Sequence, residues 1–282
     1  MLLFESFNDI HSWCDIYDIT NYTINNDGSI DVEGGVHLFN LNITELPISF
    51  NKVSGDFLVE ICNLTTLKGC PKSVGGDFNC TDNKLTSLEF GPKSVGGWFN
   101  CTDNKLTSLE HGPKSVGGNY DCGRNELTDL KGCVENVMGT FYCDENKLTE
   151  LKGGPVKVNG SFYIDNNELT DLEFSPEFVD GDFNCESNKI KTLENFNSNF
   201  KGNFYCKGNP IEIFGLHSCE SDLVLDFAII NPIRKGKVLK YLLDLFYEGK
   251  EKPDNLINQF SNNSLIRPDD EKIKSKGYEI NW

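Results

Sequence analysis

Phe78-Asn79-Cys80-Thr81-Asp82-Asn83-Lys84-Leu85-Thr86-Ser87-Leu88 returns 21 residues later as Phe99-Asn100-Cys101-Thr102-Asp103-Asn104-Lys105-Leu106-Thr107-Ser108-Leu109. The same step reaches Tyr120/Cys122/Asn125/Leu127, Phe141/Cys143/Asn146/Leu148, Phe162/Ile164/Asn167/Leu169, Phe183/Cys185/Asn188/Ile190 and Phe204/Cys206/Asn209/Ile211. Stepping backwards gives Phe57/Val59/Cys62/Leu64 and a fainter Val36/Leu38/Leu41/Ile43. No insertion breaks the register. Self-similarity at a fixed period near twenty residues is the mark of stacked coils, each too thin to bury its own apolar side.

Each position in the unit has a physical role. Phe78 and Cys80 alternate with polar neighbours, so they belong to one face of a short strand that points inward. Asn83 ends the strand, where an amide can both donate to and accept from backbone that the turn leaves unpaired. Leu85 and Leu88 fill the rest of the coil. The return half, such as residues 89–97 with Pro92, Gly96 and Gly97, reads as turn-like or extended rather than as a full helix. The string GPKSVGG at 91–97 and 112–118 lacks the Gly-Lys-Ser/Thr ending of a phosphate loop and recurs with the period, which makes it scaffold.

Working outward, three parts are expected: an N-terminal cap over 1–34, a solenoid over 35–214 and a helical cap over 215–282. Phe4, Phe7, Ile10 and Trp13 fall at helical spacing, and Asn26-Asp27-Gly28 is a turn signal between two short apolar runs. Near the other end, Ser221 is an N-cap candidate for a helix over 221–230, with further helices expected over 234–248 and after Asp254.

The chain carries 43 Asp and Glu against 26 Lys and Arg, a formal charge of −17. Such a surface repels nucleic-acid backbone and anionic lipid, so a partner protein with a basic contact surface is expected, with no direct nucleic acid and no membrane. Cys80, Cys101, Cys122, Cys143, Cys185 and Cys206 take the inward position that Val59 and Ile164 also fill, and so serve as small apolar groups. Reduced thiols together with the absence of a leader or a long apolar run give a cytoplasmic expectation.

No catalytic constellation is found, and no cofactor or metal is expected. His11, His37, His111 and His217 are scattered, and the ladder cysteines lack the electropositive setting a nucleophile needs. The dense acidic loop that binds calcium is also missing. The candidate contact residues are the outward positions of the repeated strand and its turn. They are Asp77, Asn79, Asp82, Trp98, Asn100, Asp103, Asp121, Arg124, Tyr142, Asp144, Glu145, Tyr163, Asp165, Asp182, Asn184, Glu186 and Tyr205. Aromatic side chains among charges are typical of protein-binding surfaces.

Apolar–x–apolar followed by Asn two places before Leu, at this period, resembles the short bacterial-type leucine-rich repeats, whose motif also accepts Cys where Cys62 stands. The passages at 21–38, the repeated N-x-LTSLE-x-GPKSVGG and GNPIEIF at 208–214 resemble, more closely, uncharacterised repeat proteins of large tailed bacteriophages. The resemblance implies an α/β solenoid, an arc with a parallel sheet on its concave face and a mostly irregular return side. It also implies a phage-encoded factor that binds a host defence or nucleic-acid protein in the host cytoplasm. Two other readings compete. One is an effector enzyme with substrate-selecting repeats and a ubiquitin-ligase-like tail, for which only Cys219 is on offer. The other is a nucleic-acid mimic.

Overall fold

The computed structural model describes residues 7–193, 196 and 198–210, and the backbone of three short strands, Leu223–Val224, Ala228–Ile230 and Ile266–Pro268. Over the described residues the chain winds as a β-solenoid with almost no helix, successive coils contributing short strands to two walls.

The first wall is a continuous sheet. Val36–Phe39, Phe57–Glu60 and Phe78–Asn79 begin it. Phe99–Asn100, Tyr120–Asp121, Phe141–Tyr142, Phe162–Tyr163, Phe183–Asn184 and Phe204–Tyr205 continue it, all parallel and in register at 21-residue steps. The opposite wall is built from the return halves. These carry short strands such as Ser94–Val95 and Ser115–Val116, the extended form of the turn-like or extended return half. This second wall is split into a stretch ending at Ser115–Val116 and another beginning at Asn136–Val137. The α/β expectation is corrected to a β-solenoid: from Ser73–Val74 onward each described return half forms a two-residue strand and no helix.

Between the walls lies one row of rings. Phe57, Phe78, Phe99, Tyr120, Phe141, Phe162, Phe183 and Phe204 follow one another at centroid spacings of 5.0–5.9 Å, all of them buried. That spacing is set by the separation of hydrogen-bonded strands. The inward cysteines are buried, and every cysteine among the described residues is a free thiol. Burial raises the pKa of Cys101, Cys122 and Cys185 well above that of an ordinary thiol, so they stay protonated and act as packing groups.

The asparagines form a second row. Asn104 donates from Nδ2 to the carbonyls of Cys80 at 3.0 Å and Thr102 at 3.1 Å, while its Oδ1 accepts from Leu85 N at 3.0 Å. Asn83, Asn125, Asn146, Asn167, Asn188 and Asn209 repeat the pattern, tying each coil to the one before it. Cys62 replaces the amide at the start of the row, its thiol lying 3.1 Å from Glu60 O. The residue before each asparagine is left-handed, from Asp82 (φ 54°) to Ser187 (φ 54°), which turns the chain out of the strand.

At the N-terminus, helix Phe7–Ile16 buries Trp13 and Cys14, and Trp13 meets Phe50 edge-on at 6.3 Å. The expected hairpin is present as Tyr22–Ile24 against Ile30–Val32, and its second strand heads the second wall beside Phe50–Val53. At the other end, Leu223–Val224 and Ala228–Ile230 are strands added to the first wall, where a helix over 221–230 was expected. The helices expected over 234–248 and after Asp254 lie outside the described residues.

Candidate functional site

Strand alternation puts the outward residues of the first wall on one face, in columns running across the coils. The column that opens each strand is occupied mainly by scaffold bonds. Asp77 Oδ1 accepts from Trp98 N at 2.7 Å, and Asp182 Oδ1 accepts from Asn203 N at 2.7 Å. Asn119, Thr140 and Ser161 do the same for the coils that follow them. Trp98 cannot accept in this way. It is half-buried, and its indole N–H is enclosed without a partner.

The next column mixes amides, one acid and aromatic rings. Asn79, Asn100 and Asn184 each accept from a backbone N–H two residues on, at 2.9–3.0 Å. Asn79 also donates to Glu60, and Asn184 donates to Asp165 at 3.2 Å. Tyr142 and Tyr163 stack face to face, 5.2 Å apart with planes 9° off parallel. Tyr205 stands apart from that pair, since Asn184 occupies the coil between, and its hydroxyl accepts from Asn203 at 3.0 Å. Asp121 holds the remaining place, receiving Thr102 Oγ1 at 2.7 Å and Gly123 N at 3.0 Å.

Asp144, Asp165 and Glu186 make the third column, half-buried beside the tyrosines. Burial raises the pKa of the Asp121, Asp144 and Asp165 carboxyls above the usual carboxylate range. Mutual repulsion adds to this, since Asp144 raises both Asp121 and Asp165. Gly123, which has no side chain, leaves a gap between Asp121 and Asp144. A Cβ placed there would lie 3.2 Å from one carboxylate and 3.4 Å from the other. The left-handed turn column carries Asp82, Asp103, Arg124 and Glu145. Arg124 reaches both Asp103 and Glu145 at 3.3 Å, which neutralises part of the exposed rim and leaves the half-buried acids unpaired by it.

The structure thus divides the candidate residues by what their side chains do. Asp77, Asn79, Asn100, Asp182 and Asn184 are engaged in bonds that hold the coils. Asp121, Asp144, Asp165 and Glu186 with Tyr142 and Tyr163 form a compact acidic and aromatic surface, flanked by Asp82, Asp103, Arg124 and Glu145 on one side and Trp98 on another. The sequence reading places Thr102 and Gly123 on this outward face without counting them among the contact residues; the recurring Thr at 81 and 102, absent at 123, was the available signal.

Among the described residues no group of three or more His, Cys, Asp or Glu side chains is placed to hold a metal ion. No described helix is long and apolar enough to cross a membrane. The chain matches no family profile, no curated protein and no solved structure.

Proposed function

We propose that the chain is a non-enzymatic interaction module that binds a partner protein of basic contact surface through the outward face of its first wall. The observation that carries this reading is the set of Asp121, Asp144 and Asp165. These carboxylates are half-buried, close to one another and raised in pKa, an arrangement that opposes folding at neutral pH. A neutral residue at any of the three is expected to stabilise the solenoid, so the charge carried there beside two stacked tyrosines favours a role in contact over one in stability. Guanidinium or ammonium groups from a partner would relieve the repulsion, and the tyrosine faces offer cation–π contact.

The resemblance to short bacterial-type leucine-rich repeats supports the same reading, with the first wall as a concave contact surface. The likeness to repeat proteins of tailed bacteriophages supports a phage-encoded factor that inhibits a host defence or nucleic-acid protein in the host cytoplasm. The test is affinity capture from the producing cell, with wild type beside a variant in which Asp103, Asp144 and Asp165 are Lys and another altered at Glu89 and Lys93. A specific partner retained by the return-side variant and lost by the first-wall variant supports the reading. The reverse pattern overturns it.

A further inference from the structure

The first wall begins at Val36–Phe39, and among the described residues no strand pairs with the far edge of that strand. Val36, Leu38 and Asn40 turn their backbone groups toward Phe57–Glu60, as in Val36 N to Asp56 O at 2.8 Å and Asn40 N to Glu60 O at 3.0 Å. Alternation turns the N–H and C=O groups of His37 and Phe39 the other way, and none of these four groups has a partner among the described residues. The space beyond the edge is open. At Gly55 an added Cβ would lie 2.8 Å from Gly34 in the coil before, and at Gly76 it would lie 3.0 Å from Gly55. At Gly34 the matching Cβ meets no described atom within 4 Å.

The helix and hairpin ahead of this strand cover the core beside Phe50 and head the second wall, but they add no strand to the first. Leu41 and Ile43 are left half-buried, whereas their counterparts Cys62 and Leu64 in the next coil are fully buried. An unpaired edge is a template for another chain and is ordinarily blunted by proline, lysine or a bulge. Val36–Phe39 has none of these, and Phe39 is 62 % exposed. In the next coil Leu58 is half-buried on the outward face, and Ile61 is 39 % exposed in the left-handed conformation (φ 55°). A β-branched residue is strained there, and the equivalent turn residues from Asp82 to Ser187 are all polar. Charge at this end is one-sided as well: eight Asp and Glu precede Lys52, the first Lys or Arg of the chain.

We propose that the edge of Val36–Phe39 takes a basic, extended segment of a partner protein as an added strand of the first wall. The chemistry of the segment follows from its surroundings. Its backbone supplies C=O groups to the amides of His37 and Phe39 and N–H groups to their carbonyls. On its inward side, small apolar residues continue the row of Val36 and Leu38. On its outward side, Lys or Arg meets the Phe39 ring at an end of the molecule that carries acids and no competing cation. Pairing of two copies edge to edge would instead bring two acidic ends together. The edge and its occupant rest on no part of the reading given for Asp121, Asp144 and Asp165.

The probe is the capped peptide acetyl-Lys-Val-Lys-Val-Lys-amide bearing a fluorophore, titrated with the full chain and followed by anisotropy. Saturable binding is expected. Two methylated forms are compared, one N-methylated at both valines and the other at the last two lysines, since only one alternate set of amides faces the edge. One form should bind roughly ten-fold or more weakly, through two lost backbone hydrogen bonds, and the other should bind as the unmodified peptide does. His37→Pro removes an edge donor without touching the ladder to Phe57–Glu60, so the chain should fold and lose binding about ten-fold or more. No saturable binding at millimolar protein, or binding indifferent to both methylations, overturns the proposal with the wild-type chain alone. Undiminished binding by a folded His37→Pro chain overturns it as well. So does a concentration-dependent dimer that His37→Pro dissolves, which would assign the edge to a second copy.

Discussion

Removing one amide from the middle of the asparagine row should be among the most damaging single changes in the solenoid. Asn146 Nδ2 donates to Cys122 O at 3.0 Å and Asp144 O at 3.2 Å, and its Oδ1 accepts from Leu127 N at 3.0 Å. Asn146→Ala strands the buried Leu127 amide and removes the donations to the carbonyls of Cys122, which keeps Asn125 Nδ2 at 3.2 Å, and Asp144. At about 1–3 kcal/mol for the unsatisfied amide and about 0.5–1.5 kcal/mol for each of the two lost bonds, the loss is roughly 2–6 kcal/mol. Asn146→Asp keeps the acceptor but loses the donor and buries charge against carbonyls, so it should be at least as harmful. Asn146→Cys imitates the arrangement at Cys62, whose thiol lies 3.1 Å from a carbonyl, and should fall between wild type and Ala. Urea denaturation followed by circular dichroism reads these differences as shifts in midpoint, provided the slope is unchanged. An Ala variant within about 0.5 kcal/mol of wild type would show that these groups find other partners and that the row does not hold the coils.

Three further outcomes follow from the same geometry. The Tyr120 hydroxyl is buried without a hydrogen-bond partner, so Tyr120→Phe, which restores the residue used in neighbouring coils, should leave stability unchanged or raise it by about 1–2 kcal/mol in the same denaturation assay. Asp144→Asn and Asp165→Asn should raise the melting temperature at neutral pH. A carboxyl whose folded pKa is raised binds more protons folded than unfolded, so its destabilisation grows as pH rises from the unfolded value to the folded one and is absent below both. The advantage of each Asn variant should therefore vanish on acidification through that window, and an advantage that persists at low pH would contradict the burial argument. Cys122→Val should melt near wild type, because Val59 fills the same slot in another coil. Cys122→Asp should lose at least several kcal/mol, and equal melting of the two would place the side chain outside the core.

The period alone made the coil, its inward face and the role of the asparagines legible, since each depends on spacing within one unit. Features that arise between units were harder to see. Asp77 and Asp182 looked like free acids, but their carboxylates accept the first amide of the following coil, a role visible only once the coils are stacked. The left-handed turns at Arg124 and Glu145 carry no glycine to announce them; neighbouring coils impose them. Residues 223–230 are a short apolar run, which periodicity does not assign to helix or strand. Pairing of Leu223–Val224 with Phe204–Tyr205 settles those two residues as an added strand.

The binding kinetics of the captured partner bear most directly on the central claim, that the acidic and aromatic face of the first wall is the contact surface. Association and dissociation rates would be measured at two salt concentrations for wild type, for the chain with Lys at 103, 144 and 165, for Tyr163→Ala and for a return-side variant at Glu89 and Lys93. Charge reversal should slow association and flatten its salt dependence, because long-range attraction toward the face is removed. Tyr163→Ala should mainly speed dissociation, and the return-side changes should leave both rates near wild type. Rates unchanged by the charge reversal, with binding abolished by the return-side changes, would contradict the account.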